Sequence, residues 1–224
     1  MTALHVRGAV DAAGQPLSFT IEHGRFTRFG ASVPAEAGDG EGVDLRGYTV
    51  LPALVDGHIH LDKSFVGDHW RPHQPVASLR ERLAQEKQAL AAAAPMDVRA
   101  EALMRQIAAL GTAAVRCHVD VDATTGLRNL HAVQQAHARC ADLLDIQYVA
   151  FPQAGVMSCA GTAQVLRQAL AEGVQVVGGI DPQGLDGDAR GQLDLLFGLA
   201  DRHGARIDVH LHEPGEQGLA QLQQ

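Results

Sequence analysis

Five short runs of apolar residues alternate with helix-like segments after residue 50, and this alternation limits the fold more than any other feature of the chain. The predicted strands are at 50–60, 112–121, 145–151, 174–180 and 206–211. Strands separated by helical crossovers pair in parallel, and continuously apolar strands are typical of sheets covered on both faces. The sequence therefore predicts an α/β fold with a parallel sheet, either an open doubly wound sheet or a (β/α)8 barrel.

The segments between these strands have the apolar spacing that predicts helices. Helices are expected at 76–94, 96–110, 125–144, 162–171 and 189–203, and another begins near 218. Pro95 precedes one of them and Gly111 follows it, as is usual at helix starts and ends. Five strand–helix units are fewer than the eight of a complete barrel.

Residues 1–50 are predicted to form a small β unit. Apolar and polar residues alternate over 4–8, which is the pattern of a half-buried strand. The dipeptide His23-Gly24 is typical of a tight hairpin turn, and strands are expected on both sides of it, at 18–22 and 25–29. Residues 31–42 are rich in glycine, alanine and acidic residues and are predicted as a loop.

Composition excludes several classes of function. The net charge is −8, from 18 Lys+Arg and 26 Asp+Glu, so neither a nucleic-acid-binding surface nor a basic membrane anchor is expected. No apolar run reaches the roughly 18 residues of a membrane span, and the first residues lack a signal-peptide pattern. Three cysteines without C-x-x-C spacing indicate reduced thiols in a cytoplasmic protein. The 12 histidines are unusual, because histidine is a common metal ligand and proton carrier.

Two pairs of histidines occur where predicted strands end. His58 and His60 follow an apolar run, and residues at i and i+2 of a strand project from the same face, so the two imidazoles could bind one divalent ion. His210 and His212 repeat this spacing at the end of the last strand, and Glu213 follows them. A carboxylate beside an activated water is a usual proton carrier in hydrolysis. The two pairs together indicate a hydrolytic metal site.

Other polar residues lie at neighbouring strand ends. His118 and Asp120 share one face of the second strand, and we expect them to support the ligands through hydrogen bonds or to form an internal pair. Gln153 follows the third strand, where its amide would either bind a heterocyclic ring or cap a loop. Lys63 would bind an anionic group of the substrate or be solvated at the mouth of the site.

Several segments together resemble the amidohydrolase superfamily, and within it the cytosine deaminase-like branch: LPALVDGHIHLDKSF, VRCHVDV, IQYVAFPQAGVMS, GVQVVGGI and RIDVHLHEPGE. The resemblance implies a metal-dependent-hydrolase barrel of the TIM type, present here as its N-terminal portion of about five βα units. It implies a β-sandwich portion at residues 1–50 and a partial barrel carrying the catalytic residues at 51–224. The family's sixth-strand histidine and eighth-strand aspartate would lie beyond residue 224.

The resemblance also assigns roles to individual residues. It implies that His58, His60 and His210 bind the metal, that Glu213 is the catalytic acid/base and that Gln153 contacts the substrate ring. The role of His212 stays open, because the family's cytosine deaminases have another residue there. No lysine occurs in 174–180, which argues against a bridged two-metal centre and favours one divalent ion, zinc or iron.

The expected activity is hydrolysis of a carbon–nitrogen bond in a small heterocyclic molecule, most simply deamination of cytosine or a related aminated ring. Water would attack the ring carbon bearing the amine, Glu213 would pass a proton to the ring nitrogen, and ammonia would leave. Two alternatives stay open. One is ring-opening hydrolysis of a cyclic amide, and the other is that the chain is an inactive fragment or one half of a split enzyme. Homo-oligomers are compatible with all three.

Overall fold

The computed structural model describes residues 3–32 and 41–223, and the chain divides into two compact units, Met1–Ala53 and Leu54–Gln224. Most of the predicted 31–42 loop, residues 33–40, lies outside the described residues. Within the described part, no helix is both long and apolar enough to span a membrane.

The first unit contains one four-stranded sheet. Its strands are β1 (Leu4–Val10), β2 (Pro16–Glu22), β3 (Arg25–Gly30) and β4 (Glu41–Asp44), in the order β3-β2-β1-β4. His23 and Gly24 both have positive φ, 51° and 73°, which is the conformation of a type I′ hairpin turn, as their sequence predicted. The loop prediction was wrong at Glu41 and Gly42, because these residues pair with β1 in parallel.

The second unit contains a five-stranded, fully parallel sheet. Its strands are β5 (Leu54–Ile59), β6 (Thr112–Asp120), β7 (Asp145–Phe151), β8 (Val176–Ile180) and β9 (Arg206–His210). They lie in the sheet in the same order as in the chain. A doubly wound sheet requires a reversal of strand order, whereas sequential order is what a barrel requires. The open doubly wound alternative is therefore wrong for this sheet.

In the described part of the chain, six helices connect or follow these strands: α1 (Leu79–Ala91), α2 (Met96–Ala109), α3 (Arg128–Ala138), α4 (Thr162–Ala171), α5 (Ala189–His203) and α6 (Gly215–Leu222). Helix α3 is shorter than the predicted 125–144. The carboxylate of Asp122 accepts hydrogen bonds from the backbone N–H groups of Thr124 and Thr125, and this local turn delays the start of the helix. Helix α1 begins after Ser78, whose hydroxyl accepts from the N–H of Glu81, rather than at residue 76.

The two faces of the large sheet differ, since alternate residues of each strand point to opposite sides. On one face Val115, Cys117, Ala150, Val177 and Val209 pack in a single core with side chains of helices α2 to α5. The other face carries the alternate residues of the strands, which include most of the polar side chains at the strand ends. They are His58, His118, Asp120, Phe151, Asp208 and His210. Strand β8 and the second half of β7 are buried on both faces, as their continuous apolar runs predicted, and the polar residues of this face carry the candidate site.

Candidate metal and catalytic site

Three histidines from the two edge strands meet on the polar face. One ligand nitrogen from each of His58, His60 and His210 lies within 4.8 Å of the others. His58 is in β5, His60 directly follows it and His210 ends β9, with three strands between the two edges. A flat sheet would separate these edges by about 19 Å, at about 4.8 Å per strand. The sheet is therefore strongly curled, and the curl brings the three imidazoles together.

These imidazoles fit a divalent metal ion. Nδ1 of His60 and Nε2 of His210 are buried and have no hydrogen-bond partner among the described residues. Burial, and then the Lys63 ammonium, lowers the pKa of His60 to about 2. Burial, and then the neighbouring His118, lowers the pKa of His210 to about 4. Both rings are therefore neutral near pH 7, and the neutral imidazole is the form that binds a metal ion.

His118 and Asp208 lie beside this cluster. His118 is fully buried, and its ring centroid is 4.3 Å from that of His58 and 4.9 Å from that of His210. Its Nε2 lies 3.2 Å from Oδ1 of Asp208, whose Oδ2 accepts a 3.0 Å hydrogen bond from Arg116. Asp208, His118 and His210 thus form a second group of possible ligands. Because Asp208 already contacts Arg116 and His118, the set of three histidines is the better candidate.

Sequence reasoning missed Asp208, although a signal for it was present. Asp208 lies two residues before His210 on the same strand, so the alternation rule that selected the other site residues also places it on the polar face.

Lys63 is held inside the site by two side chains. Its ammonium lies 2.8 Å from Oδ1 of Asp120 and donates a hydrogen bond to Oε1 of Gln153. The Lys63 side chain is only 11% exposed, so the alternative of a solvated lysine at the mouth is wrong. Because Oε1 of Gln153 accepts from Lys63, the amide nitrogen of Gln153 is available as a donor on its other side. The structure therefore brings together the residues proposed to contact the substrate.

Two buried carboxyl groups share the environment of Lys63. Burial, and then the adjacent Asp62, raises the pKa of Asp120 to about 8, while Lys63 opposes this change. Burial likewise raises the pKa of Asp62, which accepts hydrogen bonds from the Asp120 N–H and from Asn129. Burial lowers the pKa of Lys63, but the combined attraction of Asp120, Asp62 and Glu86 outweighs it and raises that pKa overall. One ammonium faces two carboxyls, and burial favours the protonated form of both carboxyls.

Glu213 and His212 occupy the segment between β9 and α6. Asp181, which follows β8, accepts hydrogen bonds from both the N–H and Nδ1 of His212, at 2.6 and 2.7 Å. Oε2 of Glu213 accepts a 3.0 Å hydrogen bond from Gln221, and Oε1 is buried without a partner among the described residues. The backbone of Asp181 has a positive φ of 31°, which is strained for a residue other than glycine. The two hydrogen bonds to Asp181 hold His212 in place, and Gln221 contacts Glu213.

Acid is expected to destabilise the metal-free chain through His60. Its folded pKa of about 2 lies below the ordinary value of about 6.5, so the unfolded chain takes up the proton first as the pH falls. The contribution of this pKa difference to the free energy of unfolding is therefore fully present above pH 6.5 and is lost progressively below it. When the pH falls from 7 to 5, we expect the free energy of unfolding of the natural chain to decrease by about 2 kcal/mol more than that of His60→Gln. Urea unfolding in the presence of a chelator measures this difference.

The matched control is His203→Gln, because His203 is exposed at the end of α5. This variant is expected to follow the natural chain at every pH. Parallel stability curves for the natural chain and His60→Gln between pH 7 and pH 5 would contradict the prediction.

Comparison with known proteins identifies the family. A model described as the amidohydrolase family matches residues 41–223, most of the chain. The chain belongs to the amidohydrolase family. This confirms the resemblance found in the strand-end motifs. The match covers all five strands of the curled sheet and the segment that carries Glu213.

Three relatives show how far the similarity extends. This amidohydrolase is 35% identical to N-isopropylammelide isopropyl amidohydrolase of Pseudomonas sp. (strain ADP) over 184 residues, 79% of this chain and 45% of that protein. The crystal structure of N-isopropylammelide isopropylaminohydrolase from Burkholderia multivorans matches with a TM-score of 0.91 and 38% identity, over 100% of this chain and 56% of that one. The structure of 5-methylcytosine deaminase from Klebsiella pneumoniae liganded with 5-fluorocytosine matches with a TM-score of 0.77 and 28% identity, over 99% and 54%.

The amidohydrolase chain spans about half the length of these relatives. It has a mixed α/β fold in which a curled parallel sheet forms a half-barrel. The first unit contains a separate small sheet that includes antiparallel strand pairs. The relatives of this chain include an amidohydrolase named for N-isopropylammelide, a deaminase named for 5-methylcytosine and a pterin deaminase from Rhizobium rhizogenes.

Proposed function

We propose that the chain forms the metal-binding half of a (β/α)8-barrel hydrolase that removes an amine from a carbon atom of a nitrogen heterocycle. The observation that carries this proposal is the convergence of His58, His60 and His210 within 4.8 Å, with Glu213 on the loop directly after β9. Three imidazoles that leave other coordination positions open are a usual ligand set for catalytic zinc or iron. The location is proposed to be cytoplasmic, as the unpaired thiols suggest.

The residues of the chain have distinct parts in this proposal. A divalent ion bound by His58, His60 and His210 would act as a Lewis acid that lowers the pKa of water. Glu213 takes one proton from the attacking water while the water oxygen bonds to the ring carbon, and it gives that proton to the ring nitrogen. The second proton of the same oxygen passes to the exocyclic amine as the carbon–nitrogen bond breaks, which leaves an oxo group on the ring. The amine leaves as ammonia or an alkylamine. His118 packs beside the ring of His58, and its contact with Asp208 holds it there.

Lys63 and Gln153 are proposed to select the ring. Both present hydrogen-bond donors, since the Gln153 oxygen is already used by Lys63. An oxo group or an unprotonated ring nitrogen would accept these hydrogen bonds. The names of the relatives include an ammelide and a methylcytosine. The proposed substrate class is accordingly an aminated pyrimidine or triazine that carries at least one oxo group.

Incubation with a panel of such rings tests the proposal. The chain is loaded with Zn²⁺ or Fe²⁺, mixed with cytosine, 5-methylcytosine and aminated oxo-triazines, and assayed for ammonia or alkylamine. Release of amine with retention of the ring is expected. Appearance of a new carboxylate without amine would instead support hydrolytic ring opening. Turnover of none of these rings by a chain that binds the metal would contradict activity of this chain by itself and would support the second candidate below.

A second candidate is that this chain works only with another polypeptide. Strand β5 is at the edge of the sheet, and its residues Leu54 and Val55 are 57% and 73% exposed. Large apolar side chains beside an unpaired strand edge are typical of a surface that another segment covers. Sedimentation of the chain alone, together with the activity assay, distinguishes a self-sufficient enzyme from one half of an assembly.

A further inference from the structure

We propose that Gln221, on helix α6, is a positioning residue that orients the carboxylate of Glu213 for proton transfer. The inference rests on the proposed function of Glu213. Gln221 is 8% exposed and lies eight residues after Glu213, in a segment where no catalytic motif indicated a role for it. Its amide contacts Glu213, α6 and the segment after β8.

The hydrogen bonds of Gln221 fix the direction of its amide. Its Oε1 accepts from the backbone N–H of Gln183 at 3.2 Å. Its Nε2 donates to Oε2 of Glu213 at 3.0 Å and to the backbone oxygen of Gln217 at 3.3 Å. A 180° flip would face oxygen toward two acceptors and nitrogen toward a donor, so the side chain has one satisfactory orientation. In that orientation the amide binds one carboxylate oxygen and leaves the other available.

A glycine on the opposite side completes the support of Glu213. A Cβ atom added to Gly184 would lie 2.3 Å from Oε1 of Glu213, far closer than van der Waals contact. Gly184 does not have a positive φ, so its backbone does not require glycine for conformational reasons. The position that a side chain at residue 184 would take is therefore occupied by the carboxylate of Glu213. Gln221 and Gly184 thus confine the two oxygens of Glu213 from different elements, which leaves the carboxylate little rotational freedom.

Two variants separate positioning of Glu213 from simple support of the fold. Gln221→Met keeps the length of the side chain and removes all of its hydrogen bonds. Gln221→Glu keeps an acceptor for the Gln183 N–H but replaces the donor to Glu213 with a second carboxylate. If Gln221 serves only to hold the Gln183 segment, Gln221→Met should disturb that segment and leave the rotamer of Glu213 unchanged. If it orients Glu213, both variants should displace that carboxylate. The control is Gln223→Met, because Gln223 is exposed just after α6.

The first readout is structural and needs no turnover. Crystal structures of the metal-free variants are expected to show Glu213 in a new or multiple rotamer in Gln221→Met and Gln221→Glu, and unchanged in Gln223→Met. The second readout is kinetic. We expect kcat for amine release to fall roughly tenfold to hundredfold in both Gln221 variants, with KM and metal content unchanged.

The outcomes separate this inference from the proposed function. An unmoved Glu213 in both Gln221 variants overturns the inference, and so does a moved Glu213 with unchanged kcat. A natural chain that binds the metal but releases no amine contradicts activity of this chain by itself, and the crystal structures then decide the inference without the kinetic readout. If Gln221→Met fails to fold, Gln221→Glu decides, since it keeps the bond to Gln183.

Discussion

Replacing His210 with alanine is expected to weaken the binding of a divalent ion by roughly a hundredfold or more. His210 supplies the one imidazole of the three-histidine set that comes from β9, whereas His58 and His60 come from the opposite edge of the sheet. Its loss leaves two adjacent ligands on one segment, which is too few for a tight site. Competition of Zn²⁺ between the chain and a chromophoric chelator measures the affinity.

Two further variants make this result specific. His203→Ala removes an exposed histidine from α5 and is expected to bind as the natural chain does. His58→Ala removes a ligand from the three-histidine set but leaves His118, Asp208 and His210 in place, so it distinguishes the two candidate groups. Strong loss in His58→Ala supports the first group. Full retention of affinity in both His58→Ala and His210→Ala would exclude a metal site built on these histidines.

The strand-borne part of the site could be predicted because strands have a strict period of two. That period alone predicts that His58 shares a face with His60 and that His118 shares a face with Asp120. Sequence could not show that the first and last strands approach each other, since this depends on the curl of the whole sheet. The resemblance to the amidohydrolases supplied that missing information.

Residues that act across loops were beyond sequence reasoning. Gln221 reaches Glu213 only because α6 folds back beside the end of β8, and no local spacing encodes this approach. The predicted start of α3 failed for a related reason. The side chain of Asp122 competes with the helix for backbone N–H groups, and apolar periodicity does not record such competition.

Replacing Glu213 with glutamine is expected to lower the rate of amine release by roughly 10² to 10⁴-fold while leaving metal binding intact. Glutamine has nearly the same shape, but its amide cannot accept a proton from water and return it to the ring nitrogen. The measurement is kcat for the ring that gives the highest activity in the panel, together with metal content. Glu216→Gln is the control, because Glu216 is exposed in the first turn of α6.

The contacts of the neighbouring carboxylates explain why Glu213 is the expected proton carrier. Asp120 pairs with Lys63, Asp181 binds His212 through both oxygens, and Asp208 contacts Arg116 and His118. Each of these groups is therefore committed to holding another side chain. Glu213 has one oxygen bound by a neutral amide and one oxygen without a partner among the described residues, so it can exchange a proton without breaking an ion pair. If Glu213→Gln keeps the natural rate, Glu213 is not the proton carrier. Another carboxylate would then have this role, and it would first have to break the contact with its partner.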